Sequence, residues 1–193
     1  MKRLAWMIAA IAAATPVVAA EFVVKAGAPN KVVFISKAAT ETFDGKTDRI
    51  EGRIVVDPAS VGDSVTVQLE VDLASLETGI GKRNQHMRKN HLETEKYPKA
   101  VFTGAAVLQP KGATLTPGKT IEFECEGSFT LHGVTKRLRA KVDVTARDER
   151  TLAFRASFKV PLADYKIERP KFLFLKLGEV QDVVVEGVAI AAP

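Results

Sequence analysis

Alternation of apolar and polar residues runs through most of this chain, and it restricts the fold more than any other feature. Val65, Val67, Leu69, Val71 and Leu73 share one parity, and Thr66, Gln68, Glu70 and Asp72 the other. Ile121, Phe123, Cys125, Gly127, Phe129 and Leu131 alternate in the same way with Glu122, Glu124, Glu126, Ser128 and Thr130. Successive side chains of a strand point to opposite faces, so a period of two gives one dry face and one wet face. The same pattern covers 137–144 and 152–160, with weaker versions over 32–37, 50–56, 100–108 and 180–190. Roughly eight or nine strands follow.

Turn chemistry separates them: Asp44-Gly45, Asp57-Pro58, Gly62-Asp63, Pro117-Gly118, His132-Gly133 and Asp148-Glu149. Several of these connections are short enough for hairpins, which predicts an antiparallel meander. A sheet of this size must bury its dry face, either by closing on itself or by stacking. The pattern alone leaves barrel and sandwich both open.

Residues 81–98 break the alternation. Arg83, Met87 and His91 fall at helical spacing, which predicts a short helical insert over about Asn84 to Leu92, too polar for a core helix and placed across one end of the sheet. Lys82 to Lys99 also holds six Lys/Arg residues against Glu93 and Glu95. The basicity is therefore local, which points to a site on one loop more than to a nucleic-acid surface. The insert has Tyr97 as its one aromatic, and single-strand binding needs stacking platforms, so no nucleic-acid partner is expected.

The N-terminus reads as an export signal over residues 1–20: Lys2 and Arg3, an apolar run from Leu4 to Ala14, and Val18-Ala19-Ala20 before the cut. The run is too short to span a bilayer, and no later segment is long and apolar enough to do so. Residues 21–193 then form one domain of a size that can bury a real core. Cys125 is the sole cysteine, so no intrachain disulfide supports that core, and a bacterial periplasm is the expected compartment.

Four blocks, in order, carry a family resemblance: Phe43 to Gly52; Lys82-Arg-Asn-Gln-His-Met-Arg-Lys-Asn-His running on to Tyr97-Pro98 and Phe102; Gly127 to Lys136; and Ala163 to Pro170. Together they resemble the YceI-like family of lipid- and polyisoprenoid-binding proteins. The resemblance implies an all-β fold, an extended antiparallel lipocalin-like β-barrel of about eight strands, whose interior takes a long apolar chain. It also implies secretion and no assigned catalysis. Asn84 departs from the pattern, because many members carry aspartate there. Lys171 to Leu177 is more apolar than that loop usually is.

The candidate wall for an apolar tail comprises Phe34, Val67, Leu69, Phe102, Phe123, Cys125, Phe129, Phe154 and Phe158, together with Val32, Ile54 and Val142. The many Val, Ala and Gly residues among the inward set suggest an under-filled interior; the bland alternative is that each is ordinary core. For the head group the candidates are Arg83, His86 and Arg88, raised above their neighbours by the family motif. Arginine can grip phosphate or carboxylate through two parallel bonds, and histidine can donate to an anion. The bland alternative is a solvated basic loop, with Arg83 paired to Glu77 or Glu93.

Metal is not expected, because the five-residue spacing of His86 and His91 does not match the four-residue spacing of a zinc helix. Cys125 falls on the inward face, where a thiol is inert rather than catalytic. Val183, Val185 and Ala189 form an apolar stripe that could mark a homodimer edge or simply a buried strand. The reading is an exported, non-catalytic carrier of an amphiphilic lipid, with no cofactor other than that lipid. A packed barrel with a structural or stress-related role is the alternative, and interior volume separates the two.

Overall fold

Twelve strands, all paired antiparallel, form the computed structural model, which describes residues 19–37, 42–61, 65–109, 113–169, 171–172 and 175–193. They are β1 (Ala20–Val24), β2 (Lys31–Lys37), β3 (Thr42–Thr47), β4 (Ile50–Val56), β5 (Val65–Asp72), β6 (Lys99–Gln109), β7 (Thr120–Leu131), β8 (Val134–Asp148), β9 (Thr151–Pro161), β10 (Lys171–Phe172), β11 (Leu175–Lys176) and β12 (Val180–Ala191). Apart from Ala19 and Ala20, the segment read as an export signal lies outside the described residues, as does the Gly62-Asp63 turn.

The order β1-β4-β5-β6-β7-β8-β9-β12 closes when β12 pairs back onto β1, through Phe22 with Ala191 and Val23 with Ile190. This is an eight-stranded barrel, which settles the choice between barrel and sandwich. The β2–β3 hairpin continues the wall beyond β1 on the same edge of β12, with Val32 opposite Val185. Backbone bonds in both directions between Lys46 and Glu77 tie β3 to the segment that follows β5. The small β10–β11 hairpin stands apart from the barrel sheet.

Asp44-Gly45 is not a turn. Both residues lie inside β3, paired with Ile35 and Phe34, and the chain reverses afterwards, at Asp48-Arg49. Glycine is required at 45 because the Phe34 ring lies against its backbone: a Cβ there would sit 2.1 Å from Phe34 Cε1. His132-Gly133 is the tight hairpin expected, with φ of 50° and 72°. Two left-handed residues in succession suit the twist of the strands they join.

β6 explains why its alternation is weak. The register slips between Thr103 and Ala106, with Gly104 at φ 72°. The bulge reverses parity, so even-numbered Phe102 faces Phe129 and odd-numbered Val107 faces Cys125. Buried side chains gather in two clusters. One surrounds Phe22, Val56, Leu152 and Ala189, toward the β8–β9 turn. The other surrounds Leu73, Leu131, Leu162 and Tyr165, toward the β7–β8 turn. The stripe on β12 belongs to the interior: Val183 and Val185 face the barrel lumen and Ala189 is fully buried. It therefore offers no surface to a second copy.

Candidate functional site

Between the two clusters the barrel encloses a cavity of about 930 Å³. The inward parity of the strands makes its wall almost entirely of hydrocarbon. Phe34, Val67, Leu69, Phe102, Phe123, Cys125, Phe129, Phe154 and Phe158 all line it. The core is thus hollow rather than filled, within the 300–1,000 Å³ range typical of small-molecule sites.

One end is covered by the insert, where α1 (Gly81–His86) runs directly into a π-helical turn, Met87–His91. Asn84 anchors it. This side chain is 5% exposed; its Oδ1 accepts from the Thr78 backbone N–H at 2.8 Å and from the Thr78 hydroxyl at 2.6 Å. Its Nδ2 donates to Glu77. Arg88 Nη2 reaches the Leu76 carbonyl at 2.8 Å and Glu77 Oε1 at 2.5 Å. A second latch comes from His132, whose ring lies 2.6 Å from Glu93 Oε2 and donates from Nδ1 to the Tyr165 carbonyl at 3.0 Å.

Arg83, His86 and His91 face the cavity, together with Lys82; Arg88 is not among the lining residues. Its ties to Glu77 and Leu76 make it a strut of the cap. Arg83 donates to Thr78 from Nε and Nη2, and its guanidinium carbon sits 4.0 Å from the centroid of the Phe43 ring. Such stacking suits the flat, weakly hydrated guanidinium.

The π-helical turn overturns one inference from spacing. Residues five apart diverge on an α-helix, but a π-turn closes at five. The His86 and His91 rings accordingly stand 5.2 Å apart. No third ligand joins them, since the described residues contain no group of three or more His, Cys, Asp or Glu fit for a metal. Burial, and then the neighbouring His86, hold His91 below the usual imidazole value, against the Glu168 carbonyl. A base held neutral by folding contributes stability above its unfolded value of about 6.5, and that stability is lost as pH falls through the folded value. His91→Gln should therefore flatten the loss of stability between pH 7.5 and 5.5, as read by urea unfolding at the two pH values.

Cys125 lies in the wall at mid-barrel, and burial pushes its thiol up to about 11. With so little thiolate, alkylation at pH 8 should run about a hundredfold slower in the native protein than in denaturant. An occupant of the cavity should slow it further, which a timed maleimide reaction would read.

Sequence reasoning missed Ser36, Phe43, Gln181 and His91 as cavity residues. Ser36 and Gln181 carried a signal, because each is a polar residue on the inward parity of its strand, in line with Val32 and Phe34 or with Val183 and Val185.

Among known proteins, residues 22–190 match the YceI-like domain. A UPF0312 protein of Photorhabdus laumondii is 30% identical over 108 residues, 53% of this chain and 52% of that protein. Protein YceI of Escherichia coli O157:H7 is 27% identical over the same length. These matches span about half the length of the curated relatives. Among solved structures, a polyisoprenoid binding domain from Saccharophagus degradans, implicated in plant cell wall breakdown, superposes with a TM-score of 0.70 at 21% identity, covering 90% of this chain and 99% of that one. BcnA of Burkholderia cenocepacia gives 0.69 at 19% identity, covering 83% and 96%. The barrel, its helical cap and the family match over nearly its whole described length lead to one statement: the chain belongs to the YceI-like family.

Proposed function

We propose that this protein is a non-catalytic periplasmic carrier that encloses the apolar chain of an amphiphilic lipid, a polyisoprenoid or a similar molecule, inside its barrel. The observation that carries this reading is the apolar cavity of about 930 Å³ beneath a basic helical cap. Its hydrocarbon wall gives water few partners, which favours an apolar occupant over solvent.

A chain gains about 0.8 kcal/mol for each methylene buried, so a five-carbon prenyl unit contributes about 3–4 kcal/mol before ordering costs. Tail length then sets affinity, and the cap sets which end of the ligand enters. Arg83 and His86 lie where the polar end would rest. The polyisoprenoid binding of the Saccharophagus degradans domain supports this ligand class. Among the described residues no helix is long and apolar enough to cross a membrane. The test is gentle native mass spectrometry of protein purified from the periplasm, followed by organic extraction. A stoichiometric long-chain species is expected; protein that emerges empty and takes up neither prenyl nor acyl lipids would refute the proposal.

A further inference from the structure

Lys171 to Leu177 reads Lys-Phe-Leu-Phe-Leu-Lys-Leu, and an enclosed cavity gives that apolar run between lysines no task. Its strands pair Lys171 with Lys176 and Phe172 with Leu175, in a hairpin outside the barrel sheet. The base of the hairpin is fixed: Arg169 donates from Nε to the Leu177 carbonyl and from Nη1 to Glu179 Oε1 at 2.8 Å. It stands beside the helical cap, because His91 Nδ1 at the end of the π-turn lies 3.1 Å from the Glu168 carbonyl, one residue before Arg169. The insert is about 16 Å long at 1.5 Å per helical residue. Ile80 at its start and the hairpin base at its finish therefore belong to one end of the barrel.

Positive charge gathers on this end. Residues 77–91 carry four Lys or Arg against Glu77 alone, and residues 166–179 carry four against Glu168 and Glu179. The remainder of 21–193 has a net negative charge. Along the barrel wall, exposed cations meet carboxylates on neighbouring strands: Lys37 and Lys159 with Asp182, and Arg155 with Glu186. Lys82 and Lys89 are exposed and, among the described residues, meet none. Apolar surface accompanies the charge. Ile80 is 52% exposed at the N-cap of α1, and Val180, next to Glu179, is 42% exposed; Ile190, toward the β8–β9 turn, is the other large aliphatic left open among the described residues.

Lysines beside exposed hydrocarbon suit an anionic bilayer. There the ammonium groups meet lipid phosphates, and aliphatic and aromatic side chains enter the boundary between head groups and acyl chains. A protein partner fits less well, since the cores of protein interfaces are depleted in lysine. We infer that the cap end of the barrel, from Ile80 through Lys89 together with the β10–β11 hairpin, docks on the anionic surface of a membrane. This rests on the lipid-carrier reading for its purpose and goes beyond it by naming the partner with which cargo is exchanged.

Co-sedimentation of the full mature chain with vesicles of one part phosphatidylglycerol to two of phosphatidylcholine, beside vesicles of phosphatidylcholine alone, tests the docking face. The mixed vesicles should hold the protein at least about tenfold more tightly, and added salt should release it. A lysine near such a surface contributes roughly fivefold, so Lys89→Glu/Lys171→Glu/Lys176→Glu should weaken attachment about a hundredfold. Lys119→Glu makes the same kind of change at the far end, beside Ala146, and should shift attachment less than about twofold. Trp6 is the sole tryptophan and lies in the export segment, so Ile80→Trp gives the mature chain one reporter, whose emission should move to the blue on mixed vesicles alone. The triple variant should still bind N-phenyl-1-naphthylamine as the wild type does, which separates lost docking from lost folding. Equal attachment to neutral vesicles, a triple variant that still pellets, an equal effect of Lys119→Glu, or an unshifted Ile80→Trp would overturn the docking face while leaving the carrier reading intact. A wild-type barrel that takes up no apolar probe would overturn the carrier reading, whether or not the protein pellets.

Discussion

Ala140→Trp should weaken long-chain lipid binding about a hundredfold while the barrel still folds. Ala140 sits at mid-barrel on β8, opposite Cys125 on β7 and facing the cavity. An indole added there projects into the chamber instead of into packed neighbours, so the 1–3 kcal/mol strain usual for overfilled cores should be largely avoided. It would displace roughly four methylenes of an occupant, about 3 kcal/mol, and lower affinity by about two orders of magnitude. Titration with a fluorescent apolar probe measures the loss, and thermal unfolding of the empty protein shows whether the fold survives. Unchanged binding by a folded variant would mean that the ligand does not lie in the barrel.

Asn84→Asp should destabilise the cap. In this chain Asn84 accepts from Thr78 with Oδ1 and donates to Glu77 with Nδ2. The substitution keeps the acceptor and removes the donor, setting a buried carboxylate against the carboxylate of Glu77. The lost bond and the repulsion together are worth about 2–4 kcal/mol. For a domain of this size that amounts to roughly 5–15 °C in the unfolding temperature. Two like charges raise each other's pKa, so the folded variant binds more protons than the unfolded chain. Its deficit is therefore largest near neutral pH and shrinks as pH falls toward 4, the reverse of ordinary acid denaturation. A deficit that does not change with pH would point to lost packing and not to the carboxylate pair.

The wall of the site was legible because burial by a barrel imposes parity on the sequence. β7 shows this best: every apolar residue from Ile121 to Leu131 takes one parity, and Phe123, Cys125, Phe129 and Leu131 line the cavity. The misreadings have specific causes. Asp44-Gly45 has the composition of a turn, but its glycine serves a long-range contact with Phe34 that local pattern cannot reveal. β1 went unread because Ala20–Val24 runs on from the export segment. The His86–His91 approach depends on a π-turn, and no residue type announces one.

The two arginines of the basic cap take different places. Arg83 and Arg88 differ little as sequence, and both stand in the family motif. Glu77 and the Leu76 carbonyl take Arg88 into the cap, while Thr78 holds Arg83 on the cavity side. Those partners precede the helix by a few residues, but their geometry comes from the 3₁₀ turn Leu73–Ser75, which Asp72 caps by accepting from the Ala74 N–H at 2.9 Å. Ser36 and Gln181 were legible in principle, as polar residues on a dry parity. Their meaning appears only once the wall around them is seen to enclose space.

The most direct test of the central claim is a crystal structure of the protein isolated from its native periplasm, without delipidation. The account predicts continuous tubular density along the barrel axis, ending beneath the helical cap. A lumen collapsed onto its own side chains, or one holding only scattered water, would contradict it.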